Sequence, residues 1–256
     1  MKVLIKIGGT LVDEPSARQS VARHLVAAHA AEHQFAVVHG GGRQLTRFLE
    51  AQGVATRFVN GLRVTTEEAI DAVIQILAGL VNKRLVAALR AEGASPVGIS
   101  GIDGRLTTAG ELHPELGWVG KIKTADTGLL DLLTSAGHIP VVACVSGDEE
   151  GGIWNVNADQ MAAACARAFR ADKIIFLTDV AGVMDADGKV IPSLSVSGAR
   201  HLIEAGVAKG GMQAKLEAAC AAIEGGVASV IIAGGAQPEI ISHLLGGEPE
   251  GTCIYA

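Results

Sequence analysis

Short apolar segments alternate with longer helix-like segments along the 256-residue chain. The clearest apolar segments are residues 3–7, 35–39, 140–145, 173–178 and 230–233. Strands that alternate with helices in this way pair in parallel, and the helices cover both faces of the sheet. We therefore predict an α/β fold with a central, mainly parallel sheet.

The composition limits the partners that such a fold would have. Hydrophobic residues make up 49% of the chain and aromatic residues only 3%, so the core must be aliphatic. The formal net charge of -6 argues against nucleic acid as the main partner. An anionic substrate would have to be met by local cations, since the overall charge repels it.

The cysteines and the apolar runs indicate the compartment. The four cysteines lie far apart without a C-x-x-C pattern, which predicts buried, reduced thiols in a cytoplasmic protein. No apolar run approaches about 18 residues, and no signal peptide precedes the first strand. We therefore expect a cytoplasmic protein with no membrane-spanning segment.

Two glycine-rich turns each follow an apolar strand. The first turn is Gly8-Gly9-Thr10, and the second is Gly40-Gly41-Gly42. Successive glycines free backbone N–H groups to bind an anion. Neither turn is a Walker A loop, and the second is no dinucleotide fingerprint because Leu45 occupies the position of the last glycine. A tight turn with no ligand is the alternative.

Several polar residues accompany these turns. Lys6 lies within an apolar strand, where a lysine is rare unless it is paired or reaches solvent along its stem. Lys215 lies near the start of a predicted helix, where the helix dipole disfavours a cation by roughly 0.3–1 kcal/mol. A residue that breaks a local rule is a functional candidate, although a solvated lysine is the alternative.

A strand-to-helix corner at residues 151–160 carries two amides and an acid. Asn155 and Asn157 alternate as strand neighbours do, Asn157 suits an N-cap, and Gln160 completes a capping box. Asp159 falls in the first helical turn, where the dipole favours a carboxylate. A well-capped helix without further function is the alternative.

The stretch after residue 57 predicts a hairpin and a long helix. Asn60-Gly61 would form its type I′ turn, with Arg63 beside the turn as a carboxylate ligand or a surface arginine. Thr65 and Glu68 would cap a helix that reaches about residue 90, whose apolar stripe is broad enough for a dimer contact. His29 and His33 have i, i+4 spacing but no third ligand, so we predict no metal site there.

Two lysines, one acid, two asparagines and two glycine loops at strand ends suit phosphoryl transfer. That reaction needs charge neutralisation and positioning more than covalent help. In an open α/β sheet, such groups meet in a crevice at the carboxyl ends of the strands.

From Lys2 to Ile254, the sequence resembles the amino acid kinase family. Six motifs carry the resemblance: Lys6-Ile7-Gly8-Gly9, His39-Gly40-Gly41-Gly42, Asn60-Gly61-Leu62-Arg63-Val64-Thr65, Asn155-Val156-Asn157-Ala158-Asp159, Thr178-Asp179-Val180-x-Gly182-Val183 and Gly210-Gly211-Met212-x-x-Lys215. The resemblance implies an open αβα sandwich. Residues 1–170 would form an N-terminal lobe for acylamino acid binding and dimerisation, and residues 171–256 a C-terminal lobe for ATP, in one continuous fold.

The resemblance also implies an activity. The branch of the family that this sequence resembles phosphorylates the γ-carboxylate of N-acetyl-L-glutamate with ATP and Mg²⁺, a step of arginine biosynthesis. Mg²⁺ would be held mainly by ATP, so we expect no metal ligands from the protein. No general base is needed, because the attacking carboxylate is already ionised at neutral pH.

Site residues carry over from the family by motif. Lys6 and Lys215 would neutralise the transferring phosphoryl group, and Asp159 would orient both lysines. Three groups complete the implied site: the phosphate-binding amides of Gly8, Gly9 and Gly41; the substrate ligands Gly41, Gly42, Arg63 and Asn155; and the nucleotide-binding residues Asp179, Val180, Ala181, Gly182, Val183, Met184, Val207, Ala208 and Lys209.

Other features leave alternatives open. Ala214 stands where the family commonly has a proline, and residues 79–85 and 98–106 also resemble the aminoadipate-derivative kinases of lysine synthesis. A non-catalytic sensor of nucleotide or amino acid is a further alternative, although Lys6, Asp159 and Lys215 are all present. Arginine-inhibited members carry an additional N-terminal helix, whereas the first strand here begins at residue 3. We therefore expect a homodimer that arginine does not inhibit.

Overall fold

The computed structural model describes residues 1–29, 33–59, 61–237, 239–248 and 250–256. The strands in chain order are β1 (Lys2–Ile7), β2 (Gln34–His39), β3 (Phe58–Val59), β4 (Leu62–Arg63), β5 (Pro96–Ser100), β6 (Thr107–Glu111), β7 (Val119–Ala125), β8 (Ile139–Ala143), β9 (Val145–Gly147), β10 (Ile153–Val156), β11 (Lys173–Thr178), β12 (Ser193–Ser195), β13 (Ser229–Gly234) and β14 (Thr252–Tyr255). The helices are α1 (Thr10–Asp13), α2 (Pro15–His29), α3 (Gly42–Ala51), α4 (Glu67–Val73), α5 (Asn82–Ala91), α6 (Gly128–Ser135), α7 (Ala158–Phe169), α8 (Val196–Glu204), α9 (Gly210–Glu224) and α10 (Ile240–Gly246).

Eight strands form the main sheet in the order β12-β14-β13-β11-β1-β2-β8-β5. All neighbouring pairs are parallel except β13 and β14. The predicted α/β fold with a mainly parallel sheet is therefore confirmed. The antiparallel strand β14 is not the edge strand of the sheet, because the short β12 pairs with its outer side.

Helices cover both faces of this sheet. Helices α6 to α9 pack on one face, and α1 and α5 pack on the other with α2, α3, α4 and α10 against them. The core between these layers is aliphatic apart from a few phenylalanines, as the composition predicted. The result is the open αβα sandwich that the family resemblance implied.

The helix after the hairpin is continuous from Glu67 to Ala91. Its middle part, Ile74–Val81, is π-helical and joins α4 to α5. The predicted capping box is wrong, because Thr66 occupies the N-cap position and its side chain makes no capping hydrogen bond. Thr65 is buried and accepts a hydrogen bond from the Asn155 side chain at 2.9 Å. A widened π-helical turn of this kind is frequent at functional sites.

The same helix bears on the expected absence of a membrane-spanning segment. By length and composition it is long and apolar enough to cross a membrane, yet half of its most apolar stretch is buried inside the fold. Its buried face, which includes Val73, Leu77, Val81 and Leu85, belongs to the hydrophobic core.

A smaller β unit stands beside the main sheet. Strands β6, β7, β9 and β10 close on one another, and β3 pairs with β4 as the predicted hairpin. The turn residue Asn60 lies outside the described residues. Strand β10 leads directly into α7, so the small unit presents Asn155 toward the carboxyl edge of the main sheet.

Candidate active site

A buried carboxylate between two lysines lies at the carboxyl edge of the sheet. Lys6 Nζ is 2.8 Å from Asp159 Oδ1, and Lys215 Nζ is 3.3 Å from Asp159 Oδ2. The side chains of Lys6, Asp159 and Lys215 are 7%, 6% and 15% exposed. The three residues that the sequence singled out for phosphoryl transfer are therefore brought together.

Electrostatics keep this cluster charged. Burial disfavours the ionised form of Asp159, but Lys6 and Lys215 outweigh that cost and hold the pKa of its carboxyl below the ordinary value. Burial lowers the pKa of Lys215, while Asp159 raises it and Lys6 lowers it further. The cluster thus holds two positive charges against one negative charge, and it has capacity for a further anion.

Local structure explains how each member is placed. Lys6 lies on β1, between Phe176 of β11 and Val38 of β2 in the parallel register. Its ammonium nitrogen lies so close to Gly8 that a Cβ at that position would be 2.8 Å away. A side chain at position 8 would therefore displace the ammonium group.

The helices supply the other two members. Asn157 caps α7, because its side-chain oxygen accepts hydrogen bonds from the backbone N–H groups of Asp159 and Gln160. That cap confirms the predicted helix start, and it places Asp159 in the first turn. Lys215 lies on α9, from which its Nζ reaches back to within 3.3 Å of the Gly211 carbonyl.

The second glycine turn approaches the long helix closely. A Cβ on Gly41 would lie 2.6 Å from Leu77 Cδ2 and 3.1 Å from Val81 Cγ2, both in the π-helical segment. Gly41 is also the N-cap residue of α3. Only glycine fits between the long helix and the start of α3 without displacing a neighbour.

A pocket of about 200 Å³ opens beside this turn. Gly41, Gly42, Arg63 and Asn155 line it, and their contact with a substrate stays a prediction. Its wall also contains Ala158, the residue before Asp159, so the pocket lies next to the charged cluster. The predicted substrate residues are therefore gathered around one cavity.

Arg63 is held rigidly in this pocket. It is only 8% exposed, and its Nη2 donates to Gly42 O at 3.1 Å and to Thr46 Oγ1. Its guanidinium carbon lies 4.6 Å from the ring centroid of Phe58. Its Nη1 is buried and has no partner among the described residues. A buried guanidinium with a free donor is suited to an anionic ligand.

Asp179 joins three parts of the chain at the first glycine turn. Its carboxylate accepts hydrogen bonds from the Thr10 N–H at 3.0 Å and from Arg43 Nη2 at 3.2 Å. Gly9 has a φ of 59°, and a Cβ there would collide with the Asp179 carboxylate. Asp179 therefore bridges the end of β11, the first glycine turn and α3.

The other predicted nucleotide residues divide by exposure. Val180, Met184 and Val207 expose their apolar side chains. Gly182, Val183 and Ala208 are buried, and Thr252 Oγ1 already accepts the hydrogen bond of the Val183 N–H. The remaining two, Ala181 and Lys209, are exposed. Their contact with nucleotide stays a prediction.

One group of possible metal ligands occurs among the described residues. His243, Glu248 and Glu250 lie on α10 and after it, with their ligand atoms within 4.8 Å of one another. His243 Nδ1 and Glu250 Oε1 are already hydrogen bonded at 2.7 Å. None of the three lines the pocket beside Arg63.

Comparison with known proteins identifies the family. Residues 1–234 match the sequence model of the amino acid kinase family. The chain belongs to the amino acid kinase family. Two relatives from this family are named acetylglutamate kinase. The one from Solibacter usitatus (strain Ellin6076) is 53% identical over 252 residues, 98% of each chain. The one from Acidobacterium capsulatum is 40% identical over 259 residues and covers 100% of both chains.

Solved structures agree with this family assignment. N-acetylglutamate synthase from Neisseria gonorrhoeae, complexed with coenzyme A and N-acetyl-glutamate, has a TM-score of 0.88 and 28% identity. The match covers 100% of this chain and 59% of the synthase. Carbamate kinase from Giardia lamblia bound to AMP-PNP has a TM-score of 0.70 at 15% identity, which shows the fold alone.

Several residues around this amino acid kinase site were not predicted from the sequence. Thr46 and Phe58 hold Arg63 in place. Arg43 forms a hydrogen bond with Asp179, and His39 forms one with Asn82 beside the second glycine turn. In the sequence, His39 ends an apolar strand and belongs to one of the family motifs, but neither feature predicts its bond to Asn82. The available sequence signal was a histidine within an apolar run, because a buried histidine needs a partner.

The charged cluster predicts how stability depends on pH. The pKa of Asp159 lies below its ordinary value of 3.8 in the folded chain, so its ionised form stabilises the fold above that pH. The stabilisation is lost as the pH falls through the folded-state pKa. Asp159→Asn should therefore lower the midpoint of urea unfolding at pH 6. The difference between the midpoints of wild type and variant should become smaller toward pH 3.

Asp187→Asn is the control, since Asp187 is exposed in a turn. It should leave the midpoint close to that of wild type at both pH values. A gap for Asp159→Asn that stays constant between pH 6 and pH 3 would contradict the assigned charge state.

Proposed function

We propose that this chain transfers the γ-phosphoryl group of MgATP to the γ-carboxylate of N-acetyl-L-glutamate, a step of arginine biosynthesis in the cytoplasm. The observation that carries the proposal is the pair of lysines on one buried carboxylate, next to a pocket with an unpartnered guanidinium nitrogen. The relatives named acetylglutamate kinase support the choice of substrate.

The reaction needs a nucleophile, a leaving group and charge neutralisation. A γ-carboxylate oxygen attacks the γ-phosphorus, a new O–P bond forms, and the bond to the β-phosphate oxygen breaks, so that an acyl phosphate and ADP result. Lys6 and Lys215 stabilise the negative charge that spreads over the phosphoryl oxygens. Asp159 holds both ammonium groups in place. The net positive charge of the cluster supports this role.

The pocket beside the cluster would hold the acylamino acid. The free Nη1 of Arg63 would bind the α-carboxylate. The Asn155 side-chain nitrogen donates to Thr65 Oγ1, which leaves its oxygen to accept from the substrate amide. Gly41 and Gly42 would face the ligand with backbone amides, since both line the pocket.

The nucleotide would lie on the C-terminal half of the sheet. Residues 1–170 would then act as the acylamino acid lobe and residues 171–256 as the ATP lobe. The exposed apolar side chains of Val180, Met184 and Val207 suit a nucleobase. The first glycine turn, with Gly8 and Gly9, would meet the phosphates. Magnesium enters as part of the MgATP substrate.

A hydroxylamine trap tests the reaction. In the presence of MgATP, N-acetyl-L-glutamate should give a hydroxamate faster than N-succinylglutamate or N-acetylaminoadipate. Lys215→Met, which keeps an unbranched side chain of similar size without the charge, should lower kcat by orders of magnitude while the fold is kept. A preference for the aminoadipate derivative would move the chain to lysine synthesis. Folded protein that binds ATP without turnover would favour a sensor.

Arg63 tests substrate binding. Arg63→Lys should raise the KM for N-acetyl-L-glutamate about 10- to 100-fold with little change in the KM for ATP, because lysine lacks the planar fork that binds a carboxylate. Arg57→Lys is the matched control, since Arg57 precedes the same hairpin and is exposed. An equal effect of the two substitutions would exclude the proposed role of Arg63.

We also propose a homodimer through the long helix. This helix exposes Leu80, which is 40% accessible, and only half of its most apolar stretch is covered by the fold. Sedimentation velocity should show a dimer for wild type and a weakened dimer for Leu80→Glu. A hexamer, a wild-type monomer, or inhibition by millimolar arginine would count against the homodimer that arginine does not inhibit.

A further inference from the structure

His39 lies fully buried at the end of β2, directly before the second glycine turn. Its Nδ1 is 2.7 Å from the carbonyl oxygen of Gly40, and its Nε2 is 3.1 Å from the side-chain nitrogen of Asn82. Both ring nitrogens are therefore occupied by partners.

The partners determine where the ring carries its proton. Asn82 Nδ2 also donates to the Val141 carbonyl at 2.8 Å, so the nitrogen of the amide, and not its oxygen, faces the ring. Since an amide nitrogen only donates, Nε2 must accept. The proton must then be on Nδ1, which donates to Gly40 O.

The charge state agrees with this assignment. Burial lowers the pKa of His39 to about 4, although the bond to Gly40 raises it. The ring is therefore neutral at neutral pH, with one donor nitrogen and one acceptor nitrogen.

The bond to Gly40 has a consequence for the next amide. Because the peptide bond is planar and trans, the Gly40 carbonyl and the Gly41 N–H point in opposite directions. The Gly40 N–H is itself fixed to the Ile7 carbonyl at 2.9 Å. With the carbonyl turned toward His39, the Gly41 N–H is turned away from the ring, and within the described chain it has no acceptor.

The long helix fixes the same peptide from its other side. Leu77 and Val81 pack against Gly41, and Asn82 is the residue that follows Val81. The segment from Leu77 to Asn82 therefore provides both the packing on Gly41 and the donor to His39.

We propose that His39 and Asn82 are positioning residues that hold the Gly40–Gly41 peptide with its N–H directed at an anionic oxygen of the bound acylamino acid or of the phosphoryl group that it receives. The inference rests on the proposed function, because it names the support of one amide in that site. Neither residue lines the pocket, so both act through Gly41.

Two substitutions of His39 separate positioning from simple filling of the core. The side-chain nitrogen of asparagine is attached to Cγ, as Nδ1 is, so His39→Asn keeps a donor for Gly40. In glutamine the amide lies one bond further out, so His39→Gln keeps a partner for Asn82 and loses the donor to Gly40.

We expect His39→Gln to lower kcat/KM for N-acetyl-L-glutamate about tenfold or more, with the KM for ATP unchanged, because a buried hydrogen bond is lost. His39→Asn should retain most of the wild-type kcat/KM for N-acetyl-L-glutamate. Hydrogen exchange at the amides of residues 40–42 should accelerate in His39→Gln and stay close to wild type in His39→Asn. Equal kinetics of the two folded variants would overturn the proposal.

A measurement on wild type needs no variant to fold. Nitrogen-15 NMR of the labelled histidine rings should show His39 as the neutral form with its proton on Nδ1. A proton on Nε2, or a charged ring at pH 7, would refute the assignment. If wild type phosphorylates no acylglutamate, the proposed function fails, and the tautomer and the exchange rates still decide the positioning role.

Discussion

The ion cluster of Lys6, Asp159 and Lys215 is the constraint on which the site depends. Placing three charges in a site from which solvent is largely excluded costs more free energy than an apolar core would, unless every charge finds a partner. Asp159 provides that partner for both lysines. The arrangement still leaves one excess positive charge. This charge is unfavourable for the stability of the buried cluster but favourable for binding a phosphoryl group.

The fold provides the three positions independently of one another. Strand β1 lies in the interior of the sheet, so its carboxyl end is flanked on both sides by parallel neighbours. Helix α7 brings Asp159 from one connection and α9 brings Lys215 from another, and the two helices pack side by side. Since rigid elements rather than loops hold these charges, their spacing is set before a ligand arrives.

The sequence predicted the layers and the strand ends because apolar runs and glycine turns are local signals. It also placed Asp159 correctly, since the Asn157 cap is a local pattern. Three features could not be predicted from the sequence. The place of β14 depends on pairing with the short β12, the π-helical segment follows no distinct periodicity, and the bond between His39 and Asn82 joins residues 43 positions apart. Each is set by tertiary packing, and so no local pattern indicates it.

A crystal structure with MgADP, N-acetyl-L-glutamate and tetrafluoroaluminate would test the central claim most directly, because such an ion imitates the phosphoryl group in transfer. We predict that the tetrafluoroaluminate ion lies between the substrate γ-carboxylate and ADP, within hydrogen-bond distance of Lys6 Nζ, Lys215 Nζ and the Gly41 amide. A structure in which this ion is bound, but either lysine contacts Asp159 and not the ion, would contradict the role of the cluster in phosphoryl transfer.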